Sequence, residues 1–310
     1  MFHKNFVPLR QIFCMIMNKY INPFIDWSFK RIFGTENVKD ILIGFLNAVL
    51  EGEQVITDIQ YLNNELKPEK VEGKTILYDL YCLTDKGEYI IVEMQNKDEH
   101  NFKDRSLFYV SRCIAEQGIR GDEWNYKLHP VYGIFFLNFK LNRSIDKNRN
   151  QSRTEVVLAD IETGEQFSDK FKEIFIELPR FNKTEEECES SYDQWIYILK
   201  NLETMDVIPF TERNAIFARL EETASRLNMN ETERVQYNDE LKKYRDYFNQ
   251  IDFAKESGIL EGMEQGIKQG MEQGERNKQL AIAASMKADG MPVEMIQKYT
   301  GLTADAILLI

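Results

Sequence analysis

The chain has 310 residues, of which 43% are apolar, and a formal net charge of −12. This length and composition predict one large domain or two modest ones with a real core. No apolar run reaches the roughly 20 residues of a membrane-spanning helix, so we expect no membrane span. The acidity argues against a protein that binds nucleic acid by bulk electrostatics alone. The charge is uneven, because residues 97–153 carry 11 Lys and Arg against 7 Asp and Glu, whereas residues 183–256 carry 10 against 17.

The cysteines and the N-terminus bear on the cellular compartment. The four cysteines are scattered without a CxxC pair, and the three histidines form no metal-binding cluster. We therefore expect reduced thiols in a cytoplasmic protein. The short apolar patch at the N-terminus lacks a small-residue cleavage site, which argues against a signal peptide. Met17 is an alternative start, and residues 1–16 would then be an extension that is not part of the folded protein.

Hydrophobic periodicity predicts the elements in chain order. Helical spacing predicts a helix over residues 41–50, and residues 55–63 predict a first strand. A β-hairpin follows over residues 76–98 and a helix over residues 102–118. Residues 131–139, "VYGIFFLNF", are continuously apolar, which is typical of a strand buried on both faces. Two more strands are expected at "TEVVLAD" and "EIFIEL", and residues 183–256 are acidic and helix-forming.

A four-residue repeat marks the C-terminal part of the chain. On a helix, one stripe would be formed by Gly258, Gly262, Gly266, Gly270 and Gly274. Each glycine costs roughly 1 kcal/mol relative to alanine in a helix interior, which needs a compensating reason. Close approach of another helix and a flexible linker are both open. Residues 289–310 predict two short helices, which fit a packing or dimerising cap better than a DNA-binding helix-turn-helix.

The hairpin can be predicted in detail. "DKG" between two apolar runs predicts a three-residue loop with Gly87 in the left-handed conformation. Under that loop Thr84 pairs with Glu88, and the same register places Asp79 opposite Glu93. Two acids therefore face each other within the most strand-like part of the sequence.

A facing pair of acids requires an explanation. Side chains alternate along a strand, so Gln95 shares a face with Asp79 and Glu93. Facing carboxylates repel and destabilise a hairpin. A hard divalent cation would offset the repulsion, since Mg²⁺ is commonly held by one or two carboxylates with water and phosphate oxygens. A solvated sheet face, or a shifted register that separates the acids, are the alternatives.

Four stretches together resemble the PD-(D/E)xK nuclease family transposases, also described as the Rpn family of recombination-promoting nucleases. These are "MNKYINPFIDWSFKRIFGTE", "DILIGFLNAVL", "YDLYCLTDKGEYIIVEMQ" and "DRSLFYVSRCI". The resemblance is close over roughly residues 17–140, and the glycine repeat and "TGLTADAI" also look like the C-terminal part of many members. It implies an α/β, restriction-endonuclease-like core over residues 17–182, with a mixed central sheet flanked by helices. An all-helical C-terminal region would follow, consisting of the acidic residues 183–256 and a glycine-repeat helix with a helical cap over 257–310.

The resemblance also implies a function and a set of site residues. It implies an endonuclease that hydrolyses DNA phosphodiester bonds with Mg²⁺ or Mn²⁺, in association with mobile-element recombination. By position in the motif, Asp79 and Glu93 would be the metal ligands. Gln95 stands where the wider superfamily usually has lysine, and glutamine offers hydrogen bonds but no positive charge. Lys97 or Lys30 could supply that charge, or the protein could be slow or inactive.

The helix after the hairpin carries a second candidate feature. Arg105, Tyr109 and Arg112 lie at i, i+4 and i+7, on one helical face. With the resemblance, we expect this face to bind a phosphate backbone, rather than to be a solvated face with one packed tyrosine. Asp26 is expected to cap a short helix that begins at Trp27, and a role as a further site acid is the alternative.

Two functions remain open at this stage. The leading one is a metal-dependent DNA endonuclease, and RNA is also open as its substrate. The alternative is a catalytically degenerate nuclease-fold protein that binds nucleic acid or serves assembly, motivated by Gln95 and the net acidity. We also expect self-association through the C-terminal helices.

Overall fold

A computed structural model of the chain describes residues 18–53, 55–66, 75–99, 101–118, 125–141, 151–212 and 214–310. The expected N-terminal extension over residues 1–16 and the alternative start at Met17 lie outside the described residues. The chain divides into two compact units, of which the first ends at Lys242 and the second runs from Lys243 to Ile310. Within the described ranges, no helix is both long and apolar enough to cross a membrane.

The helices and strands follow the predicted order, with two differences: residues 65–66 form an unpredicted strand that pairs with residues 76–77, and the first arm of the hairpin is interrupted at Tyr78 and Asp79. The helices are α1 (Asp26–Phe33), α2 (Lys39–Val49), α3 (Phe102–Ala115), α4 (Ser191–Asn201), α5 (Ala215–Ala224), α6 (Glu231–Ala288), α7 (Val293–Thr300) and α8 (Ala304–Leu308). The strands are β1 (Ile59–Tyr61), β2 (Glu65–Leu66), β3 (Ile76–Leu77), β4 (Leu80–Thr84), β5 (Tyr89–Gln95), β6 (Val131–Leu137), β7 (Arg153–Ala159) and β8 (Gln166–Glu177).

A mixed six-stranded sheet forms the centre of the first unit. The strand order is β1-β4-β5-β6-β8-β7, and β2 and β3 form a separate pair. The neighbours β5, β6 and β8 run parallel, whereas the other pairs are antiparallel. All seven residues of β6 are buried, as its continuous apolar run predicted.

Helices cover both faces of this sheet. Consecutive residues of β6 point to opposite faces and therefore pack against different helices. Phe135 lies on the α3 side, where its ring stacks on Phe175 with the centroids 5.2 Å apart. Phe136 lies on the other side, 5.2 Å from Phe45 of α2, and Phe45 in turn contacts Trp195 of α4. The predicted sheet flanked by helices is therefore confirmed.

The hairpin of β4 and β5 has the predicted loop and register. Gly87 has a φ of +82°, and the Thr84 N–H donates to the Glu88 carbonyl at 2.9 Å. Leu80 pairs with Val92, so the residues just before β4 come opposite Glu93.

The glycine repeat is helical throughout. All five glycines lie within α6, which continues without interruption through the repeat, so the linker interpretation is wrong. A Cβ added at any of them would meet no described atom within 4 Å. In the second unit, α7 and α8 pack on the end of α6 through Ala283, Ile296 and Ile307.

Candidate functional site

Two carboxylates on the central hairpin form the centre of the candidate site. The Asp79 N–H donates to Glu93 Oε1 at 3.1 Å, and the Met94 N–H donates to Asp79 Oδ2 at 2.8 Å. Each carboxylate thus accepts a hydrogen bond from the strand segment that carries the other. The predicted opposition of the two acids is correct, and the shifted register is wrong.

Burial outweighs the favourable interactions of the two acids. Glu93 is only 3% exposed, and burial, followed by the neighbouring Asp79 charge, raises the pKa of Glu93 well above its usual range. Burial also raises the pKa of Asp79, although the hydrogen bond from Met94 acts in the opposite direction. Among the described residues, no cation forms an ion pair with either carboxylate. The solvated sheet face is therefore wrong for Glu93.

Gln95 shares the face of the two acids, as predicted. Its Nε2 donates to Glu93 Oε2 at 3.2 Å. The strand ends at Gln95, and the next side chain, Asn96, donates to the Phe24 carbonyl at 2.6 Å. Lys97 is exposed beyond the end of the strand, so strand alternation does not place it beside the carboxylates.

Two other cations lie near the acids. Lys30 of α1 and Arg105 of α3 both act to lower the pKa of Asp79 as nearby positive charges. Each has its own ion pair, Lys30 with Asp26 at 2.8 Å and Arg105 with Glu99 at 2.6 Å. The Lys30–Asp26 pair is substantially exposed and therefore contributes little to stability, whereas Arg105 is half-buried beside an exposed Glu99.

Asp26 does not cap α1, so the capping expectation is wrong. The helix begins at Asp26 itself, and the N-cap residue is Ile25, which makes no side-chain cap hydrogen bond. Asp26 instead lies in the first turn, where its carboxylate pairs with Lys30 one turn later. Its charge raises the pKa of Asp79, so it belongs to the surroundings of the site.

The predicted face of α3 is half-buried and faces the hairpin. The Arg105 guanidinium lies 5.8 Å from the centre of the Tyr109 ring, and Arg112 pairs with Glu116. The Tyr109 backbone carbonyl accepts a hydrogen bond from Tyr78 Oη at 2.9 Å. The structure thus brings Arg105 and Tyr109 towards the acids.

A cleft of about 820 Å³ extends from Asp79 between α1, α5 and the first turns of α6. Its charged lining is mixed: Asp26, Lys30, Arg31, Asp79, Arg219, Glu222, Glu233 and Glu240. Arg31 and Arg219 were not found from the sequence. No local pattern marks them, because Arg31 meets its partner Glu233 across about two hundred residues of chain.

The acid pair suits a hard divalent cation. Carboxylate oxygens are the ligands that Mg²⁺ prefers, and it typically keeps several waters beside one or two protein carboxylates. Within the described ranges no three His, Cys, Asp or Glu side chains form a metal-binding group. Asp79 and Glu93 would therefore supply part of a coordination shell that water and phosphate complete.

A helix-flanked mixed sheet with two acids on a central hairpin defines the restriction-endonuclease-like class of fold. The family model described as PD-(D/E)XK nuclease family transposase matches residues 23–254, and the chain belongs to this family. Comparison with curated proteins gave no match, and neither did comparison with solved structures. The family supports a nuclease associated with mobile elements, and nucleases of this type typically use divalent metal ions. The resemblance read from the sequence is confirmed.

Proposed function

We propose that the protein is a Mg²⁺-dependent endonuclease that hydrolyses phosphodiester bonds in DNA, with Mn²⁺ as a substitute ion. Asp79 and Glu93 would hold the metal, and Gln95 would be the third catalytic residue. One observation carries this proposal: two hydrogen-bonded carboxylates face each other on a central hairpin without a cationic partner in the described chain. The family match makes a nucleic-acid phosphodiester the natural substrate.

The roles of the protein groups follow from their chemistry. When bound, a divalent ion would activate water and stabilise charge on the scissile phosphate. Asp79 and Glu93 would be its ligands, and two backbone N–H groups of the hairpin hold their carboxylates in place. The Gln95 amide, now bound to Glu93, would orient the attacking water or a phosphate oxygen by hydrogen bonding.

A cation must replace the lysine that is absent at position 95. Lys30 is the best candidate in this proposal, because its charge already acts on Asp79 and its ion pair with Asp26 is exposed. On substrate binding, the Lys30 ammonium would leave Asp26 for a phosphate oxygen. Lys97 would make an outer contact with the backbone of the substrate.

The α3 face would bind the substrate backbone. Arg105 would donate to phosphate oxygens, and Tyr109 and Arg112 would extend the contact along the helix. On substrate binding, Arg105 would exchange the exposed Glu99 carboxylate for a phosphate oxygen. DNA is proposed over RNA because of the family's association with mobile elements. The cytoplasm is proposed because Cys82, Cys113 and Cys188 are free, buried thiols.

The test is cleavage of supercoiled DNA and of a matched RNA in Mg²⁺ and in Mn²⁺, with and without a chelator. We expect chelator-sensitive cleavage by the wild type and its loss in Asp79→Ala and in Glu93→Ala. Glu165→Ala, which removes an exposed acid from the loop between β7 and β8, is the matched control. Unchanged cleavage in both site variants would refute the assignment.

A non-catalytic nucleic-acid-binding protein is the second candidate, and Gln95 favours it. The Gln95 amide hydrogen-bonds Glu93 rather than supplying a charge, and the cleft beside Asp79 is rich in acids. This candidate predicts binding of nucleic acid with no cleavage in either ion. Efficient nicking that a chelator abolishes would rule it out.

Self-association through the C-terminal helices is the remaining part of the proposal. The glycines of α6 form an open groove, and the adjacent row of exposed side chains is apolar: Ile259, Met263, Ile267 and Met271. Rows four residues apart on two helices pack ridge into groove, so this face is complementary to a second copy of itself. Charged residues such as Glu264 and Lys268 border the apolar row on the side away from the glycines. Light scattering should therefore give a smaller oligomer for a chain that ends at Glu256.

A further inference from the structure

Tyr78 connects the hairpin to α3 directly before the first site acid. Its side chain is fully buried, and its Oη donates to the Tyr109 backbone carbonyl at 2.9 Å. Its ring also meets the Tyr109 ring edge-on, with the centroids 5.4 Å apart. One side chain therefore contacts both the backbone and the ring of a residue on the proposed substrate-binding face.

The backbone of Tyr78 is held as firmly as its side chain. Its N–H donates to the Asn64 carbonyl at 2.9 Å, and its own carbonyl accepts from Asn64 Nδ2 at 3.0 Å. The next residue is Asp79, whose N–H donates to Glu93. Tyr78 thus occupies a fixed position between Asn64, the acid pair and α3.

We propose that Tyr78 is a positioning residue, which sets the distance and orientation between the carboxylates on the hairpin and the Arg105–Tyr109 face of α3. This inference rests on the proposed function, because it assigns Tyr78 a part in aligning the substrate backbone with the acids. Misplacement of reacting groups by about 1 Å can cost up to about a hundredfold in rate. A side chain that fixes α3 to the hairpin would therefore keep the substrate backbone aligned with the acids.

Tyr81 provides a matched control. It is also buried, at 7% exposure, and its ring lies 5.2 Å from that of Tyr78. Its Oη contacts Cys113 Sγ at 3.3 Å, so it holds α3 one turn beyond Tyr109 and makes no hydrogen bond to a residue of the Arg105–Tyr109 face. Tyr81→Phe and Tyr78→Phe each remove one buried hydroxyl from the same core.

The experiment compares full-length wild type, Tyr78→Phe and Tyr81→Phe at a temperature where all three are folded. We expect Tyr78→Phe to lower kcat about tenfold, with Mg²⁺ affinity by calorimetry and nucleic-acid affinity both within about twofold of wild type. Tyr81→Phe should leave kcat unchanged. Equal losses in the two variants, or no loss in Tyr78→Phe, would overturn the proposal.

Hydrogen exchange separates this proposal from the proposed function. If the wild type shows no cleavage, the proposed function fails, but Tyr78→Phe should still speed amide exchange in both Asp79 and the α3 segment around Tyr109. Tyr81→Phe should not affect Asp79. Faster exchange confined to α3 in Tyr78→Phe would overturn the positioning role on its own.

Discussion

Replacing Glu93 with glutamine should stabilise the metal-free protein at pH 8. The raised pKa of Glu93 means that the folded protein holds a proton that the unfolded chain has released. The contribution of Glu93 to stability therefore falls as the pH rises from about 4.5 through the raised pKa. Glutamine has the same shape without the charge, so the variant does not lose stability as the pH rises.

The magnitude follows from the contacts of the carboxylate. A buried charge that lacks an ion-pair partner costs about 3–5 kcal/mol, and the hydrogen bonds from the Asp79 N–H and the Gln95 amide each offset about 1 kcal/mol. We expect Glu93→Gln to raise the free energy of unfolding by about 2 kcal/mol at pH 8. For a domain of this size, that corresponds to roughly 4–8 °C in Tm.

The assay is thermal unfolding between pH 5 and pH 8, without metal and then with excess Mg²⁺. The difference in Tm between Glu93→Gln and the wild type should shrink towards pH 5, where Glu93 is protonated. Added Mg²⁺ should raise the Tm of the wild type but not that of the variant, because a ligand stabilises only the form that binds it. Glu165→Gln is the control for a general change in charge. A variant that is less stable than wild type at pH 8, or one with the same pH dependence, would refute the reasoning.

Three further predictions concern other parts of the chain. Arg105→Ala should weaken nucleic-acid binding and lower the slope of its salt dependence by about one, whereas Lys86→Ala in the hairpin loop should not; equal slopes would contradict the α3 interface. Gly266→Ala should stabilise the α6 helix by about 1 kcal/mol. It should nevertheless weaken self-association measured by sedimentation, because the added methyl group fills the glycine groove; unchanged self-association would argue against the glycine face as the interface. Gly133→Ala should destabilise the first unit by about 1–3 kcal/mol in denaturant unfolding, because the new Cβ would lie 2.7 Å from Val110 and from the Phe135 ring; a neutral effect would show that α3 can shift.

The hairpin and the central strands could be predicted because their signals are local. A three-residue loop that ends in Gly87 fixes the register of the strands beside it, and that register alone places Asp79 opposite Glu93. The apolar run of β6 is equally local. The prediction of these elements required no information about residues elsewhere in the chain.

Features that depend on distant residues could not be predicted. The first strand was expected over residues 55–63 but covers only Ile59–Tyr61. The Asn47 side chain both donates to the Ile56 carbonyl at 2.9 Å and accepts from the Ile56 N–H at 2.7 Å. This pairing takes the place of a neighbouring strand before β1 begins.

The site shows the same division between local and distant signals. Asp26 has the residue type of a helix cap, but the helix starts one residue earlier than expected and Asp26 pairs with Lys30. The cleft beside Asp79 uses α5 and α6, which follow the hairpin by more than a hundred residues. Arg219 lines that cleft, and no spacing in the sequence connects it to the hairpin.

The crossed hydrogen bonds of the acid pair give the protein a built-in spectroscopic reporter. The amide protons of Asp79 and Met94 each point at a carboxylate oxygen of the opposite acid. The resonance frequency of an amide proton responds strongly to the charge on its acceptor. In an isotope-labelled sample, these two signals would follow the stepwise ionisation of the acid pair from both of its sides. They would do so without an attached probe and in the absence of any substrate.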